Sequence, residues 1–310
     1  MKQYNRVCAR INLDAIAYNM EQMKNRIGQE GRLIAVIKTD AYGHGAVPLA
    51  EMFEETPYIW GYAVACMGEA RTLRAHGIKK PILILGCVFP DEYEEMVEKE
   101  IRAAVYTEEM AKGMADAAAK SGKTAFLHIK IDTGMGRIGF KVSKESVETI
   151  SRISKLPNIK MEGMFTHFAK ADEFDKSYTF TQHEKFLWMK EQLEKNGVQI
   201  SYYDCDNSAG IIDFPDMKHD LARAGISIYG MYPSDEVKKD AVDLKPALEL
   251  ISHISFVKDV EKELPSVTVE LSSRQRRCGS LRFPLDTVTD IRVPFQIKDM
   301  FLSMENVQIL

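Results

Sequence analysis

A lysine ends the first strongly apolar run of the chain, and a glycine-rich turn follows it at once. Residues 32–37 read RLIAVI, which is typical of a fully buried strand, and Lys38 comes next in the segment AVIKTDAYGHGA. Apolar surroundings disfavour the charged form of an amine, and a neutral lysine is a nucleophile that can form a Schiff base with a carbonyl cofactor. A lysine that merely ends a strand and reaches solvent is the alternative. Gly43, Gly45 and the hydroxyl of Tyr42 favour the first interpretation, because such a turn lets backbone approach a ligand.

Two further cations and a histidine lie within or just after later apolar runs. Lys130 lies inside the run of HIKIDTGMGRIGF, where a buried amine is costly unless it is paired or chemically altered. Arg137, in the glycine-rich turn of that segment, has a planar guanidinium suited to a carboxylate or a phenolate oxygen, although a loop arginine is commonly a surface residue. His167 in GMFTHFAKADE is more often structural than catalytic when it stands alone. His167 is a candidate functional residue because it follows a predicted strand, as Arg137 does.

Two segments near residues 206–210 and 222–230 have the character of a phosphate site. They read DNSAG and ARAGISIYG, and they combine a hydroxyl, small residues and backbone N–H groups at the starts of helices or turns. The candidate residues in them are Asn207, Ser208, Arg223, Gly225 and Ile226.

These residues must be positioned by a regular alternation of short β-branched runs and longer helical stretches. The runs are RLIAVIK, IWGYAVA, PILILG, IRAAVY, FLHIKID, IKMEGMF, ISYYDCD and ARAGISIYG. Such an alternation predicts a parallel sheet with crossover helices and, at this number of strands, a closed (β/α)₈ barrel of the TIM type. A doubly wound open sheet is the alternative. Sites on such barrels gather at the C-terminal ends of the strands, so we expect the candidate residues to share one site.

The composition favours chemistry on a small molecule. The chain has 310 residues and a net charge of -4, whereas a nucleic-acid partner requires a basic surface. The sequence has no secretory signal and no run of about 20 apolar residues, so a cytoplasmic protein without a membrane span is expected. Its five cysteines are scattered and lack CxxC spacing, which indicates neither a disulfide framework nor a metal site.

Taken in order, these segments resemble the motif series of the alanine racemases. AVIKTDAYGHG, HIKIDTGMGRIGF, GMFTHFAKADE, NSAG and RAGISIYGMYPS occur in the family's order and with its spacing, over about residues 10–262. The resemblance implies pyridoxal 5'-phosphate as cofactor, alanine as substrate, and interconversion of L-alanine and D-alanine to supply D-alanine for cell-wall peptidoglycan. It also implies a homodimer and two domains. Residues 1–12 would begin a β domain, residues 13–240 would form the barrel, and residues 241–310 would start an incomplete C-terminal β domain.

The resemblance gives Lys38 two roles, as the residue that forms the Schiff base with the cofactor and as the base that moves the Cα proton on the D-alanine face. Arg137 would lie near the phenolic oxygen of the cofactor and the substrate carboxylate. Lys130 would be carboxylated and would steady Arg137. The implied catalytic residues are Lys38, Arg137 and His167, the last of which would buttress the site.

The remaining candidates would bind the cofactor. Arg223 would face the pyridine nitrogen and keep it unprotonated, because a fixed cation there disfavours a second positive charge. The phosphate would be held by Tyr42, Ser208 and the backbone of Gly225 and Ile226. The implied cofactor-binding set is completed by Lys38, Arg137, His167 and Asn207.

The family pattern ends near Lys262. In racemases of this kind the next stretch carries a Ser-Tyr-Gly whose tyrosine is the second catalytic base, which acts on the L-alanine face in the partner subunit's site. Residues 263–310 contain no tyrosine. This stretch can be back-translated with one permissible choice of codons. When one guanine nucleotide is added in front and the result is translated again, it gives Val-Ser-Tyr-Gly-Gly and then Gly-Tyr-Gly-Asp-Gly-Tyr in family order. A frame shift near Glu263 is therefore predicted, with a genuinely divergent tail as the alternative.

Three functions remain open at this point. The first is an alanine racemase whose barrel is intact and whose turnover is impaired by the missing tyrosine. The second is a pyridoxal-phosphate homeostasis or carrier protein, although the single-domain proteins of that kind lack the extension ALELISHISFVKDVEK found here. The third is a catalytically dead remnant that serves dimerisation or interaction. Out-of-frame residues are not selected to alternate between inward and outward faces, so residues 263–310 are expected not to build the family's β domain.

Overall fold

A computed structural model describes residues 7–217, 219–252, 256–260 and 278–282. It divides the chain into a barrel unit, Ile11–Leu248, and a second unit formed by the chain on either side of it. The domain limits predicted at residues 12 and 240 stay predictions. Apart from Cys278–Arg282, the predicted out-of-pattern tail lies outside the described residues, and so does the proposed frame-shift position.

The strands confirm the predicted barrel. In chain order they are β1 (Val7–Ile11), β2 (Arg32–Val36), β3 (Ile59–Val64), β4 (Ile82–Ile84), β5 (Ile101–Val105), β6 (Ala125–Asp132), β7 (Phe140–Lys141), β8 (Ile159–Phe165), β9 (Tyr202–Asp204), β10 (Leu221–Ala224), β11 (Leu248–Ser252), β12 (Phe256–Val260) and β13 (Cys278–Arg282). Among the described residues, eight parallel strands follow the order β5-β4-β3-β2-β10-β9-β8-β6, and a β5–β6 pairing closes the ring. Strand β7 adds to the end of β6, β1 pairs with β11, and β12 pairs antiparallel with β13.

Helices connect the barrel strands. They are α1 (Leu13–Ile27), α2 (Lys38–Gly43), α3 (Ala46–Phe53), α4 (Met67–Ala75), α5 (Tyr93–Glu98), α6 (Glu108–Ser121), α7 (Lys144–Ile153), α8 (Ser177–Lys195) and α9 (Ser208–Asp213). Short 3₁₀ turns occupy Pro90–Glu92, Ile226–Tyr229 and Lys239–Ala241. The side chains of Asn12, Thr107 and Ser143 accept hydrogen bonds from backbone N–H groups in the first turns of α1, α6 and α7, which fixes where these helices begin. Within the described residues, none of the helices has the length and apolar character needed to cross a membrane.

Two features differ from the sequence-based expectation. The last barrel strand ends at Ala224, so that the predicted run ARAGISIYG divides into strand β10 and the 3₁₀ turn Ile226–Tyr229. Gly225 N–H donates to the hydroxyl of Ser208 instead of continuing the sheet ladder, which explains why the strand stops there. Helix α1 was not singled out from the sequence, although its buried Ile16, Met20 and Met23 have helical spacing.

Candidate functional site

A cavity of about 590 Å³ opens at the C-terminal ends of the barrel strands. Its lining includes residues one to three positions beyond the ends of seven of the eight barrel strands, β2, β3, β4, β6, β8, β9 and β10, as expected for a (β/α)₈ barrel. The predicted site residues converge on it, and those in the lining are Lys38, Tyr42, Lys130, Arg137, His167, Asn207, Ser208, Arg223, Gly225 and Ile226. The expectation that these residues share one site is thus confirmed, whereas their chemical roles stay predictions.

The chain leaves β2 in an unusual conformation immediately after Lys38. Residues 39–42 all have φ between 52° and 55°, so that α2 is a left-handed turn built from Thr, Asp, Ala and Tyr. Each such residue costs about 1–2 kcal/mol relative to a right-handed conformation. The turn brings Lys38 Nζ to 5.6 Å from the centre of the Tyr42 ring. Both side chains are thereby directed into the cavity.

Tyr229 supports this turn from the 3₁₀ segment after β10. Its ring centre lies 5.1 Å from that of Tyr42 and 4.5 Å from that of His44. Its hydroxyl donates a hydrogen bond to Val36 O at 2.8 Å, which links the turn to the end of β2. Tyr229 is buried and was not identified from the sequence, because its role depends on contacts between distant segments.

A small polar cradle lies between Ser208, Gly225 and Tyr42. Ser208 Oγ accepts hydrogen bonds from Gly225 N–H at 3.0 Å and from Ser227 N–H at 3.4 Å. A Cβ atom added to Gly225 would lie 3.7 Å from Ser208 Oγ and 3.8 Å from the Tyr42 hydroxyl oxygen. The missing side chain therefore leaves a space between two hydroxyl groups, and this space suits a phosphate. Asn207 is held beside it by an N-cap bond, in which its side-chain oxygen accepts from Gly210 N–H at 3.0 Å.

Arg223 lies on the floor of the cavity, where its guanidinium is almost fully engaged. Nη1 forms an ion pair with the carboxylate of Asp204, and both side chains are buried. Nη2 donates to Thr166 O at 2.8 Å and to Cys205 O at 3.2 Å. Among the described residues Nε has no hydrogen-bond partner, so this atom is available to a ligand. Asp204 was missed by the sequence analysis, because nothing in ISYYDCD indicates which carboxylate meets the arginine.

Positive charge dominates the floor of the cavity. Burial, followed by the charge of Arg223, lowers the pKa of Lys130 to about 7. Burial also lowers the pKa of His167 to about 2, with further contributions from Arg223, Arg137, Lys130 and Lys38. His167 is therefore neutral at physiological pH. The excess of cations over anions around this imidazole favours an anionic ligand.

The loop that carries Arg137 is held by Asp132. The carboxylate oxygen Oδ1 of Asp132 accepts hydrogen bonds from Gly134 N–H and Gly136 N–H, each at 3.0 Å. The loop is thus closed on itself just before Arg137. Asp132 was not among the predicted site residues, although the DTG sequence is a common turn signal.

The arrangement can bind a ligand that carries a phosphate at one end and a further anionic group near Arg137. The amine of Lys38, the neutral imidazole of His167 and the guanidinium of Arg223 line the same cavity. This combination provides an attachment point, a hydrogen-bonding group and a fixed positive charge for one ligand.

Comparisons with known proteins agree with the motif pattern. The family model described as "Alanine racemase, N-terminal domain" matches residues 11–233. An alanine racemase of Clostridium tetani is 46% identical over 261 residues, which cover 84% of this chain and 67% of the relative. An alanine racemase of Desulforamulus reducens is 42% identical over 254 residues, which cover 82% of this chain and 68% of the relative. The chain thus spans about two thirds of the length of these curated relatives.

Solved structures show the same likeness. The alanine racemase of Clostridium difficile 630 has a TM-score of 0.82 and 39% identity, over 89% of this chain and 72% of that one. The alanine racemase of Bacillus anthracis with bound L-Ala-P has a TM-score of 0.80 and 31% identity, over 88% of this chain and 71% of that one. The match in sequence, the closed barrel and the cavity residues agree, and the chain belongs to the alanine racemase family of isomerases.

Proposed function

We propose that this chain is a pyridoxal 5'-phosphate-dependent alanine racemase that retains its cofactor site and is impaired in turnover. The observation that carries the proposal is the convergence of Lys38, the Ser208 and Tyr42 hydroxyls and the Arg223 guanidinium on one cavity. The named relatives support alanine as the substrate. A cytoplasmic location, a homodimer and the supply of D-alanine for peptidoglycan belong to the same proposal.

The residues present fit this cofactor. The space that a Gly225 side chain would fill lies between two hydroxyls and would accommodate a phosphate. Arg223, which lines the same cavity, would face the ring nitrogen and favour its unprotonated form. When bound, pyridoxal phosphate supplies an electron-withdrawing ring that makes the Cα proton of the substrate acidic. Lys38 would bind the cofactor through Nζ and would move this proton on the D-alanine face. Arg137 would bind the substrate carboxylate, for which its planar guanidinium is suited.

Lys130 and His167 would tune the charge around Arg137 and Arg223. Burial, and then the charge of Arg223, lowers the pKa of the Lys130 amine to about 7. Carboxylation would replace this amine by an anion beside two arginines, which removes the repulsion between like charges. His167 is neutral and accepts a hydrogen bond from Arg223 Nη2 at 3.4 Å. It would keep the guanidinium in place without adding another positive charge.

The proposed loss of racemase turnover follows because racemisation needs an acid–base group on each face of the substrate. Racemisation needs a proton acceptor on one face of the substrate and a donor on the other, each within hydrogen-bond reach. Lys38 serves one face, and residues 263–310 contain no tyrosine for the other. Loss of a positioned acid–base group costs about 10²–10⁴ in rate.

The test compares this chain with a version whose reading frame is restored by one nucleotide near codon 263. Both are loaded with pyridoxal phosphate and assayed for interconversion of the two alanine enantiomers. We expect the restored protein to be faster by at least about 100-fold. We also expect this chain to exchange the Cα proton of D-alanine with deuterated water and the Lys38→Ala variant not to do so. Equal racemisation by the two proteins would show that the tail is not the defect.

A pyridoxal-phosphate carrier or homeostasis protein is the second candidate, and the lack of a tyrosine in residues 263–310 favours it. Such a protein would bind the cofactor at Lys38 but would leave both alanine enantiomers unchanged. The exchange experiment separates the two functions. Exchange at Cα that depends on Lys38 supports racemase chemistry, and cofactor binding without any exchange supports the carrier.

A further inference from the structure

Glu69, in the first turn of α4, bridges the ends of two neighbouring barrel strands. Its Oε1 atom accepts a hydrogen bond from Thr39 N–H at 2.7 Å, and its Oε2 atom accepts one from Ala65 N–H at 2.7 Å. Thr39 directly follows Lys38, and Ala65 directly follows β3. One carboxylate therefore holds the peptide group next to Lys38 and the end of the adjacent strand.

The sheet itself leaves one of these N–H groups without an acceptor. Strands β2 and β3 are parallel, and Ile37 N–H donates to Ala63 O at 2.9 Å. The next bond of a parallel ladder would run from Ala65 N–H to Ile37 O. Ile37 O instead accepts from Ala41 N–H at 2.9 Å, because the chain turns left-handed after Lys38. Glu69 replaces the acceptor that the turn removes from the ladder.

The left-handed turn also needs contacts at its start. Its non-glycine residues are in a conformation that costs about 1–2 kcal/mol each, and such strain persists only where the surroundings enforce it. At its far end Asp40 Oδ1 accepts from Ala46 N–H at 2.8 Å, and the Tyr42 ring packs on Tyr229. At its near end, the hydrogen bond from Thr39 N–H to Glu69 holds the first residue of the turn in place.

We propose that Glu69 is a positioning residue, which holds the peptide N–H after Lys38 and thereby sets the direction in which Lys38 and Tyr42 enter the cavity. Within the described part of the chain Glu69 does not line the cavity, so its effect passes through the backbone. The inference rests on the proposed function, in which Lys38 binds pyridoxal phosphate.

Glu54 provides a matched control. Its Oε1 atom accepts hydrogen bonds from the backbone N–H groups of Lys79 at 2.7 Å and Lys80 at 2.9 Å. Like Glu69 it is half-buried and binds two peptide groups. Lys79 and Lys80 precede β4, so these contacts lie at the opposite end of the barrel strands from Lys38.

The experiment uses the full chain with Glu69→Gln or Glu54→Gln. Glutamine keeps the size of the side chain but has one acceptor oxygen and one NH₂ group. Glu69→Gln therefore loses the acceptor for one of its two peptide N–H groups, because each donates to a different oxygen. Glu54→Gln can keep both of its bonds, because both peptide groups donate to Oε1. We expect Glu69→Gln to melt at lower temperature and Glu54→Gln to melt close to the unaltered chain. We expect only Glu69→Gln to weaken the binding of pyridoxal phosphate, by about tenfold, and to change the visible circular dichroism of the bound cofactor. Glu69→Asp is too short to span both N–H groups and should behave like Glu69→Gln, which gives a second variant if one fails to fold.

A cofactor-independent measurement separates this inference from the proposed function. The rate at which an amine-acylating reagent modifies Lys38, measured by mass spectrometry, should change in Glu69→Gln and not in Glu54→Gln. If cofactor affinity, dichroism and Lys38 reactivity are the same in Glu69→Gln and the unaltered chain, or if Glu54→Gln alters them equally, Glu69 has no positioning role. An unaltered chain that does not bind pyridoxal phosphate at Lys38 would overturn the proposed function, and the acylation rates would still decide the role of Glu69.

Discussion

Arg223 Nη2 donates a hydrogen bond to His167 Nδ1 over 3.4 Å, so a guanidinium and an imidazole meet on the floor of the cavity. The contact is possible only while the imidazole is neutral, because a protonated Nδ1 cannot accept. Burial and the surrounding cations lower the pKa of His167 to about 2, which keeps it neutral. This pair therefore fixes both the position of the arginine and the charge of the site.

The His167 pKa predicts a loss of stability on acidification. The unfolded chain takes up a proton on this residue below about pH 6.5, whereas the folded chain does so only near pH 2. The unfolded state thus binds more protons between these values, and the free energy of unfolding falls as the pH falls. We expect the free energy of unfolding, measured by urea denaturation, to fall between pH 7 and pH 5 by about 1–2 kcal/mol more in the unaltered chain than in His167→Gln. The variant of the exposed His76, His76→Gln, should behave like the unaltered chain.

Gly225→Ala should close the proposed phosphate site without disturbing its surroundings. The added methyl group meets no atom closer than 3.7 Å, yet it occupies the space between the Ser208 and Tyr42 hydroxyls. We expect the affinity for pyridoxal phosphate to fall at least about tenfold and the affinity for pyridoxal, which lacks the phosphate, to change little. Gly68→Ala, on the exposed face of α4, is the control and should bind both compounds normally. Equal losses for the two compounds in Gly225→Ala would place the phosphate elsewhere.

Lys130 should be carboxylated by carbon dioxide. Its pKa of about 7 leaves a large neutral fraction at neutral pH, and the neutral amine is the form that reacts. We expect ¹³C-labelled bicarbonate to give a carbamate signal in the NMR spectrum of the folded chain. The signal should disappear in Lys130→Met and persist in Lys160→Met, which removes an exposed lysine. A signal that survives Lys130→Met would assign the modification to another amine.

The left-handed turn predicts that glycine at residue 39 stabilises the fold. Thr39 is exposed, has φ of 52° and donates its hydroxyl to Lys38 O at 2.7 Å. Because glycine adopts this conformation without steric cost, Thr39→Gly should raise the free energy of unfolding by about 1 kcal/mol. Thr181 in α8 is also exposed and donates to a backbone carbonyl, at 3.1 Å, but it lies in a regular helix. Thr181→Gly should therefore destabilise by about 0.5–1 kcal/mol, and a loss in both variants would argue against the left-handed turn.

The sequence predicted the barrel and the members of the site because both depend on local patterns. Strand-like runs followed by helical ones indicate a parallel barrel, and Lys38 at the end of the first run must then lie at its C-terminal face. The left-handed turn could not be predicted, because only Asp40 among its four non-glycine residues is of a type enriched at positive φ, and the β-branched Thr39 argues against it. Asp204, the partner of Arg223, and Glu69, the acceptor for two strand-end N–H groups, were also not predicted. Both contacts join segments far apart in the chain, and they depend on a strand register that the sequence does not specify.

The position of the cofactor tests the central claim most directly. The chain is incubated with pyridoxal phosphate, reduced with borohydride, digested and examined by peptide mass spectrometry. We expect one pyridoxyl phosphate label, on Lys38, and none on Lys130, although both residues line the cavity. A label on another lysine of the folded chain, or no label at all, would contradict the account.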